Sequence, residues 1–582
     1  MSKLPHAQGG NLVDLGPGTG SAVERVKLDS KGLRGRLPEE LAEDTSRFSD
    51  AQVQLIKFHG IYQQEDRDAR QARKAAGVEK LYNFMVRSRI PGGALTADQY
   101  LVQDDIAGRY ANGSLRITTR QGLQLHGVLK GDLHAAIHQI NEALLSTLAA
   151  CGDVNRNVMA CPAPVASRAH AQVQEIAHTI AMHLAPRSTA YHEIWVDGEQ
   201  VKTVEAPTEP VDEPIYGATY LPRKFKIGVA FPGDNCIDVY TQDIGMVAEL
   251  EGETLAGFTL LVGGGMGMTH GKTETYPRLA TPLCSIAVDE VLEVVETIVG
   301  IQRDFGDRTN RKHARMKYLV EERGIAWFRA ELERRLGRFV CAPRPVAWLK
   351  SDDHLGWRRQ ADGRWFLGLW IENGRVKDTP RIRLRAGLRK VVETFSPGLR
   401  LTAQQNILLT DIEEHDRTAV EALLAEFGII SDPRGLGGVH RHALSCPALP
   451  TCGLALADSE RALPALVRRL EEDLEAIGLA GEQLSVRMTG CPNGCARPYM
   501  GDIGLVGRTK DVYNLYVGGD WANTRLNTLY ASSVRLEALP DAIRPLLELW
   551  RDEREPDESF GDFTERWGVE QLRVQVEGRY GT

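Results

Sequence analysis

Leu115-Arg-Ile-Thr-Thr-Arg-Gln-Gly-Leu-Gln-Leu125 lines up with Leu399-Arg-Leu-Thr-Ala-Gln-Gln-Asn-Ile-Leu-Leu409 at an offset of 284 residues. Upstream, Ile90-Pro-Gly-Gly-Ala-Leu95 matches Ile371-Glu-Asn-Gly-Arg-Val376, offset 281. Downstream, Cys161-Pro-Ala-Pro164 matches Cys446-Pro-Ala-Leu449, offset 285. Asp243-Ile-Gly-Met-Val247 then resembles Asp502-Ile-Gly-Leu-Val506, and Val262-Gly-Gly264 resembles Val517-Gly-Gly519. Matches in one order with drifting offsets describe a duplicated unit with different insertions. Ser114–His126 alternates as a strand. The stretches 133–148, 169–184, 288–303 and 461–477 carry helical spacing, and Gly-Gly and Gly-Pro pairs punctuate them. Strands and helices mixed within each half predict an α+β fold with pseudo-two-fold symmetry, mixed sheets and a site between the halves.

The 582 residues exceed one minimal core and predict two to four domains. Hydrophobic content of 42% and charged content of 25% are ordinary for a globular protein. No apolar run is long enough to span a membrane, and the start Met1-Ser2-Lys3-Leu4-Pro5-His6 lacks a signal core, so the cytoplasm is expected. A formal charge of −8 argues against nucleic acid as a partner, though not against a local basic pocket. Nine cysteines without a signal peptide favour metal or redox use over a disulfide framework. Residues 1–50, rich in Gly, Pro and charge, are expected to be a flexible segment, with residues 51–59 the first ordered strand or arm.

Four cysteines stand close together. Cys446-Pro-Ala-Leu-Pro-Thr-Cys452 is C-x5-C and Cys491-Pro-Asn-Gly-Cys495 is C-x3-C. Four thiolates are the usual ligands of a [4Fe–4S] cube. Zinc prefers tighter C-x2–4-C knuckles, so the five-residue gap favours the cluster while leaving zinc open. Buried inert thiols are the plain alternative.

Thr489-Gly-Cys-Pro-Asn-Gly-Cys495 after Cys446-x5-Cys452 resembles the sirohaem-dependent sulfite and nitrite reductases. The likeness extends over nearly the whole chain from residue 50. It takes in Phe58-His-Gly-Ile-Tyr-Gln-Gln64, Arg87-Ser-Arg-Ile-Pro-Gly-Gly93, Ser114–His126, Asn155-Arg-Asn-Val158, Leu221-Pro-Arg-Lys-Phe-Lys226, Leu261-Val-Gly-Gly-Gly265 and Phe560-Gly-Asp-Phe563. It is closest to the haemoprotein (beta) subunit of bacterial sulfite reductases. The resemblance implies the duplicated fold of that family. Residues 51–150 and 345–425 are then ferredoxin-like halves of one domain. Residues 151–344 form a first sirohaem-binding repeat, and 426–582 a second that carries the cluster cysteines.

The same resemblance implies that Cys446, Cys452, Cys491 and Cys495 bind one [4Fe–4S] cluster. Cys495 also ligates the sirohaem iron axially, so one thiolate couples the two centres for the six-electron reduction of sulfite to sulfide. Arg89, Arg156, Lys224 and Lys226 take the place of the family's substrate cations, as charge-assisted donors to an oxyanion. Lys224 and Lys226, two apart on an extended segment, face one side. Crowded cations lower a lysine's pKa and an anionic haem raises it, and both remain in play. Arg116, Thr118, Arg120, Gln124 and His126 share one strand face, which the resemblance sets against the sirohaem, with Asn493 beside it. For His126 a satisfied core histidine is the competing reading. Arg303, Arg308, Arg311, Arg315 and Lys317 form a second basic stretch that could cover more carboxylates. Cys161 is implied to lie near the haem, with no catalytic role. Val262-Gly-Gly-Gly-Met-Gly267 fits no nucleotide pattern and reads as close backbone approach.

Lys226 resembles the sulfite rather than the nitrite pattern. The chain carries no flavin or NADPH motif, so electrons come from a partner. The resemblance implies an NADPH-dependent flavoprotein; a ferredoxin, as in ferredoxin-dependent sulfite or nitrite reductases, is the alternative. A catalytically idle zinc or cluster scaffold, or a simple electron carrier, would not need the basic residues.

Overall fold

The computed structural model describes residues 20–164, 168–196 and 213–580. Two antiparallel five-stranded sheets form a pseudosymmetric pair. The first runs Ile61–Glu65, Tyr82–Arg87, Leu123–Val128, Leu115–Ile117 and Arg375–Val376. The second runs Gly356–Arg359, Trp365–Leu369, Ile407–Ile412, Gly398–Leu401 and Ala94–Leu95. The edge strand of each comes from the other half: Arg375 pairs with Arg116, and Ala94 with Arg400. This exchange locks the repeats together.

Two mixed sheets share a second common order. One runs Thr281–Ala287, Thr254–Val262, Ile244–Glu251, Ile227–Ala230 and Met159–Ala160. The other runs Thr528–Arg535, Val512–Val517, Ile503–Thr509, Val486–Thr489 and Leu444–Ser445. In both, the first three strands are antiparallel and the last two join in parallel. The matched segments of the sequence repeat therefore occupy equivalent places in an α+β architecture of mixed sheets and helices. Helices Arg168–His183, Val291–Phe305 and Leu463–Ala476 fall where the apolar spacing predicts them, while the helix expected over 133–148 ends early, as Leu133–Glu142. The second mixed sheet has its own apolar core, built on Leu470, Leu505, Leu515 and Trp550. Among the described residues no helix is long and apolar enough to cross a membrane.

Three local expectations change. Residues 1–19 lie outside the described residues, but the rest of the first fifty are ordered, with helices Ala22–Leu28 and Leu37–Ala42. Their order comes from distant partners. Buried Lys27 donates to the Leu221 carbonyl at 2.8 Å and pairs with Glu24 and Asp153, while Leu33 and Leu37 enter the core. The stretch 51–59 is not a strand: it opens with helix Asp50–Leu55. Ser114–His126 is not one strand but a hairpin, Leu115–Ile117 and Leu123–Val128, turned at Gln121, whose φ is 54°.

Candidate active site

The four cysteines leave the ends of two adjacent parallel strands. Cys446 follows Leu444–Ser445, and Cys491 and Cys495 follow Val486–Thr489. Backbone and side-chain donors already point at sulfur: the Gly490 amide to Cys446 Sγ and the Asn493 amide to Cys491 Sγ, each at 3.4 Å. Arg67 holds the Cys452 loop through that residue's carbonyl at 3.1 Å. Burial first, and the charge of neighbouring cysteine sulfurs next, pushes the Cys446 and Cys452 thiols up, and Cys491 up to about 12. Such thiols ionise once metal charge arrives to compensate them. A tetrahedral zinc needs sulfurs about 3.8 Å apart. No three of the four sulfurs lie within 4.8 Å of one another, a spread that suits a cube rather than a single ion.

Cys495 is the exposed member of the set. With Asn493 and Gly494 it lines a cavity of about 440 Å³ whose opposite wall belongs to the first repeat: Arg120, Lys224, Lys226 and Arg315. Phe225 turns into the core and leaves Lys224 and Lys226 on the cavity side. Among the described residues neither ammonium has a hydrogen-bond or ion-pair partner. Burial pushes both far below the usual lysine range. Arg223, Arg156 and Arg315 act the same way on Lys224, and Arg120, Lys224 and Arg315 on Lys226. Cys495 opposes the shift at the first and Asp243 at the second. In the protein alone, crowding and burial win. Arg120 donates to Gln242 Oε1 at 2.6 Å and the Asn157 carbonyl at 2.5 Å; burial, then Arg156, lowers it to about 9.

The glycine run behaves as read. A Cβ on Gly264 would collide with the Tyr240 and Gln242 carbonyls. Met268 donates to the Pro492 carbonyl at 2.8 Å, bringing this loop against the C-x3-C turn. Lys317 donates to the Gly265 and Gly267 carbonyls. Arg315 is held by Asp243 at 2.9 Å.

The remaining expected residues divide. On the first antiparallel sheet, Arg87, Gln124, Arg116 and Arg375 form one row across four strands. Arg116 donates to the Ser445 carbonyl at 2.9 Å and pairs with Glu460 at 3.1 Å, so it braces the cluster loop. His126 is buried with both ring nitrogens unpartnered. Burial, followed by Arg375, Arg116 and Arg87, keeps it well below its ordinary pKa and neutral. It is not a satisfied core histidine. Thr118 caps the hairpin turn by accepting from the Arg120 and Gly122 amides. Arg156 donates to the Gly152 carbonyl at 3.0 Å and lies in the field of Tyr62, Cys151 and Asp153.

Arg89 does not join this group. After Arg87 the chain leaves the sheet, Arg89 bridges to Ser146, and its guanidinium turns to the Ala181 carbonyl at 3.3 Å and Met182 Sδ. Arg87 takes the position near Arg156 instead, donating to Cys151 Sγ at 2.9 Å over the Tyr62 ring. Reading Arg89 missed it because both residues share strand parity. In the second basic stretch, Arg303, Arg308 and Arg311 are engaged by Asp304, Glu24 and Asp153, leaving only Arg315 on the cavity wall. Cys161 is absent from that wall and lies beside Cys236 and His354.

The donor set fits an anionic tetrapyrrole. The cavity wall carries Arg120 and Arg315, Arg120 Nε is buried without an acceptor, and Cys495 lines the other side. Buried polar groups are ordinarily satisfied, so the Arg120 orphan marks where a ligand's acceptor belongs.

The pattern of the nitrite and sulphite reductase 4Fe-4S domain matches residues 175–339 and 437–582, and that of the nitrite/sulfite reductase ferredoxin-like half domain matches 78–143 and 358–427. The chain belongs to the nitrite and sulphite reductase family and is an oxidoreductase. Among curated relatives, the sulfite reductase (NADPH) hemoprotein beta-component of Myxococcus xanthus is 50% identical over 549 residues, covering 94% of this chain and 96% of its own. That of Geobacillus kaustophilus is 47% identical over 556 residues, covering 95% and 96%. In fold the chain is similar to Mycobacterium tuberculosis NirA, with a TM-score of 0.76, 23% identity and coverage of 95% and 96%.

Proposed function

We propose that this chain is the catalytic subunit of an assimilatory sulfite reductase, working in the cytoplasm. The observation that carries the reading is the shared cavity: Cys495 from the second repeat faces unpaired Lys224 and Lys226 from the first. Cys446, Cys452, Cys491 and Cys495 would hold a [4Fe–4S] cluster, and Cys495 would also hold the iron of a sirohaem. Arg116, Thr118, Arg120, Gln124, His126 and Asn493 would lie against the sirohaem, a reading supported by Arg120 and Asn493 on the cavity wall. When bound, the two groups would supply the stored electrons for the reduction.

The chain's own residues do the rest. Reduction of sulfite to sulfide consumes six electrons and seven protons and releases three waters. Lys224 and Lys226, with Arg156 and Arg87, bind and orient the oxyanion by charge-assisted bonds. A lysine whose pKa is depressed gives up its proton more readily to a departing oxygen, as a general acid must. The arginines keep their charge and hold geometry. Arg87 replaces Arg89 in this set. The beta-component names of the relatives support sulfite as substrate and a partner subunit; we infer an NADPH-dependent flavoprotein as that partner.

The test is a steady-state assay with a chemical reductant on sulfite and on nitrite. The reading requires higher kcat/KM for sulfite; a preference for nitrite would reverse the substrate assignment. Replacing the chemical reductant by flavoprotein or by ferredoxin decides the donor.

A further inference from the structure

A second constellation of ligating side chains lies away from the Cys495 cavity. Cys161 follows strand Met159–Ala160, Cys236 follows Gly233–Asp234, and His354 precedes Gly356–Arg359. All three are buried, each no more than 2% exposed. Their two sulfurs and one imidazole nitrogen lie within 4.8 Å of one another, with Cys161 Sγ 4.0 Å from His354 Nε2. Asp234 Oδ2 lies 3.7 Å from that same nitrogen. On the other side of the ring, Asp352 Oδ2 lies 3.9 Å from Nδ1, and Asp352 is itself fixed by Arg358 and Lys350.

We propose that Cys161, Cys236 and His354 hold a structural zinc, with Asp234, beside the same imidazole nitrogen, swinging in as the fourth ligand and Asp352 orienting the histidine. A zinc tetrahedron with bonds of about 2.0–2.3 Å places its ligand atoms roughly 3.3–3.8 Å apart. The Cys161 and Asp234 separations from His354 Nε2 need to shrink by only a few tenths of an ångström, and the Asp234 carboxylate must turn toward the two sulfurs. Two thiolates with an imidazole select zinc over hard cations. A carboxylate on the far ring nitrogen is the usual companion of a metal-bound histidine, fixing its tautomer. A divalent ion would also compensate thiolate and carboxylate charge that is costly to bury alone.

The backbone supports a held loop. His354 sits in the left-handed region at φ 57°, and only a glycine at 368 lets the His354 carbonyl lie against the neighbouring strand. Residues held in such conformations are retained where surrounding structure fixes them. The ligands come from the first mixed sheet, from the short parallel pair Gly233–Asp234 with Trp348–Lys350, and from the entry to the second antiparallel sheet. A metal there would staple the segment that leads from the first half of the chain into the second.

The test uses the purified holoenzyme. Elemental analysis is expected to find one zinc per chain beside the iron of the redox centres, and zinc absorption fine structure two sulfurs at about 2.3 Å and two lighter ligands at about 2.0 Å. Cys236→Ser is expected to lose the zinc while iron, labile sulfide and visible spectrum stay. Asp352→Asn keeps every ligand and is expected to release zinc to a chelator about 10- to 100-fold more readily. Absence of zinc, whether Cys161 and Cys236 are then found joined as a disulfide or as free thiols, would overturn the proposal. So would zinc retained equally by both variants, the mark of an adventitious ion held elsewhere.

Discussion

Gln121 and Gln405 make the same bond in opposite directions across the pseudo-two-fold axis. Gln121 Nε2 donates to the Leu401 carbonyl at 2.9 Å, and Gln405 Nε2 donates to the Ile117 carbonyl at 3.3 Å. Both residues turn a hairpin at positive φ, 54° and 70°, and both side chains are buried. Each hairpin thereby presents its strands to the other half, and the tip of the first one delivers Arg120 to the cavity.

The two bonds are not equal. Gln121 also donates to the Ala160 carbonyl at 2.8 Å and accepts from the Ala160 amide, whereas Gln405 Oε1 has no partner. Gln121→Ala is expected to cost about 2–3 kcal/mol and Gln405→Ala about 1 kcal/mol, because stranded buried carbonyls and amides lose their bonds. Denaturant midpoints of the two variants, compared at equal cofactor content, check the order. An equal or reversed order contradicts it.

Lys226→Ala is expected to lower sulfite turnover by about 100-fold or more, the scale of a lost general acid, with haem and iron content unchanged. Absorption spectra and iron analysis beside the rate measure this. Parallel loss of haem would make Lys226 a cofactor ligand instead.

The pH profile carries the sign of the lysine shifts. A proton donor is active only below its own pKa, and both lysines lie far below the ordinary value. The kcat/KM for sulfite, which reports the free enzyme, is therefore expected to fall on the alkaline side at a pH well under that of an ordinary lysine, about 10.4. Substituting Lys226 by arginine should remove or displace that limb. A profile flat to pH 10 in the wild type excludes a lysine donor.

Arg87 and Arg89 separate function from packing. Arg87→Ala is expected to reduce kcat/KM for sulfite by at least about tenfold, the loss of one charge-assisted contact. Arg89→Ala should leave kcat/KM within about threefold and cost about 1–3 kcal/mol of stability, since it strips the Ala181 carbonyl of a buried donor. Paired assays and unfolding curves distinguish the two; the opposite pattern would restore Arg89 to the substrate site.

The sequence carried the repeat because its signal is local: the Gln121 and Gln405 turns align within a continuous match. It carried the cluster because four thiolates in two short motifs need no long-range information. It did not reveal that Ser114–His126 folds back on itself, although Gln121-Gly122 was a turn signal, because even-numbered side chains keep one face whether the strand continues or turns. Arg87 and Arg89 share parity for the same reason, and only the change of partner from Gln124 to Ser146 separates them. The order of residues 20–49 depends on Asp153 and Leu221, far along the chain. The Cys161, Cys236 and His354 cluster draws on three distant segments with no common motif.

In the proposed site Cys495 would join the cluster to the haem iron. Low-temperature Mössbauer and electron paramagnetic resonance spectra of the holoenzyme and of Cys495→Ser measure it directly. Exchange-coupled haem and cluster signals are expected in the wild type, and their loss, with the haem, in the variant. Two magnetically independent centres in the wild type, or coupling that survives in Cys495→Ser, would contradict it.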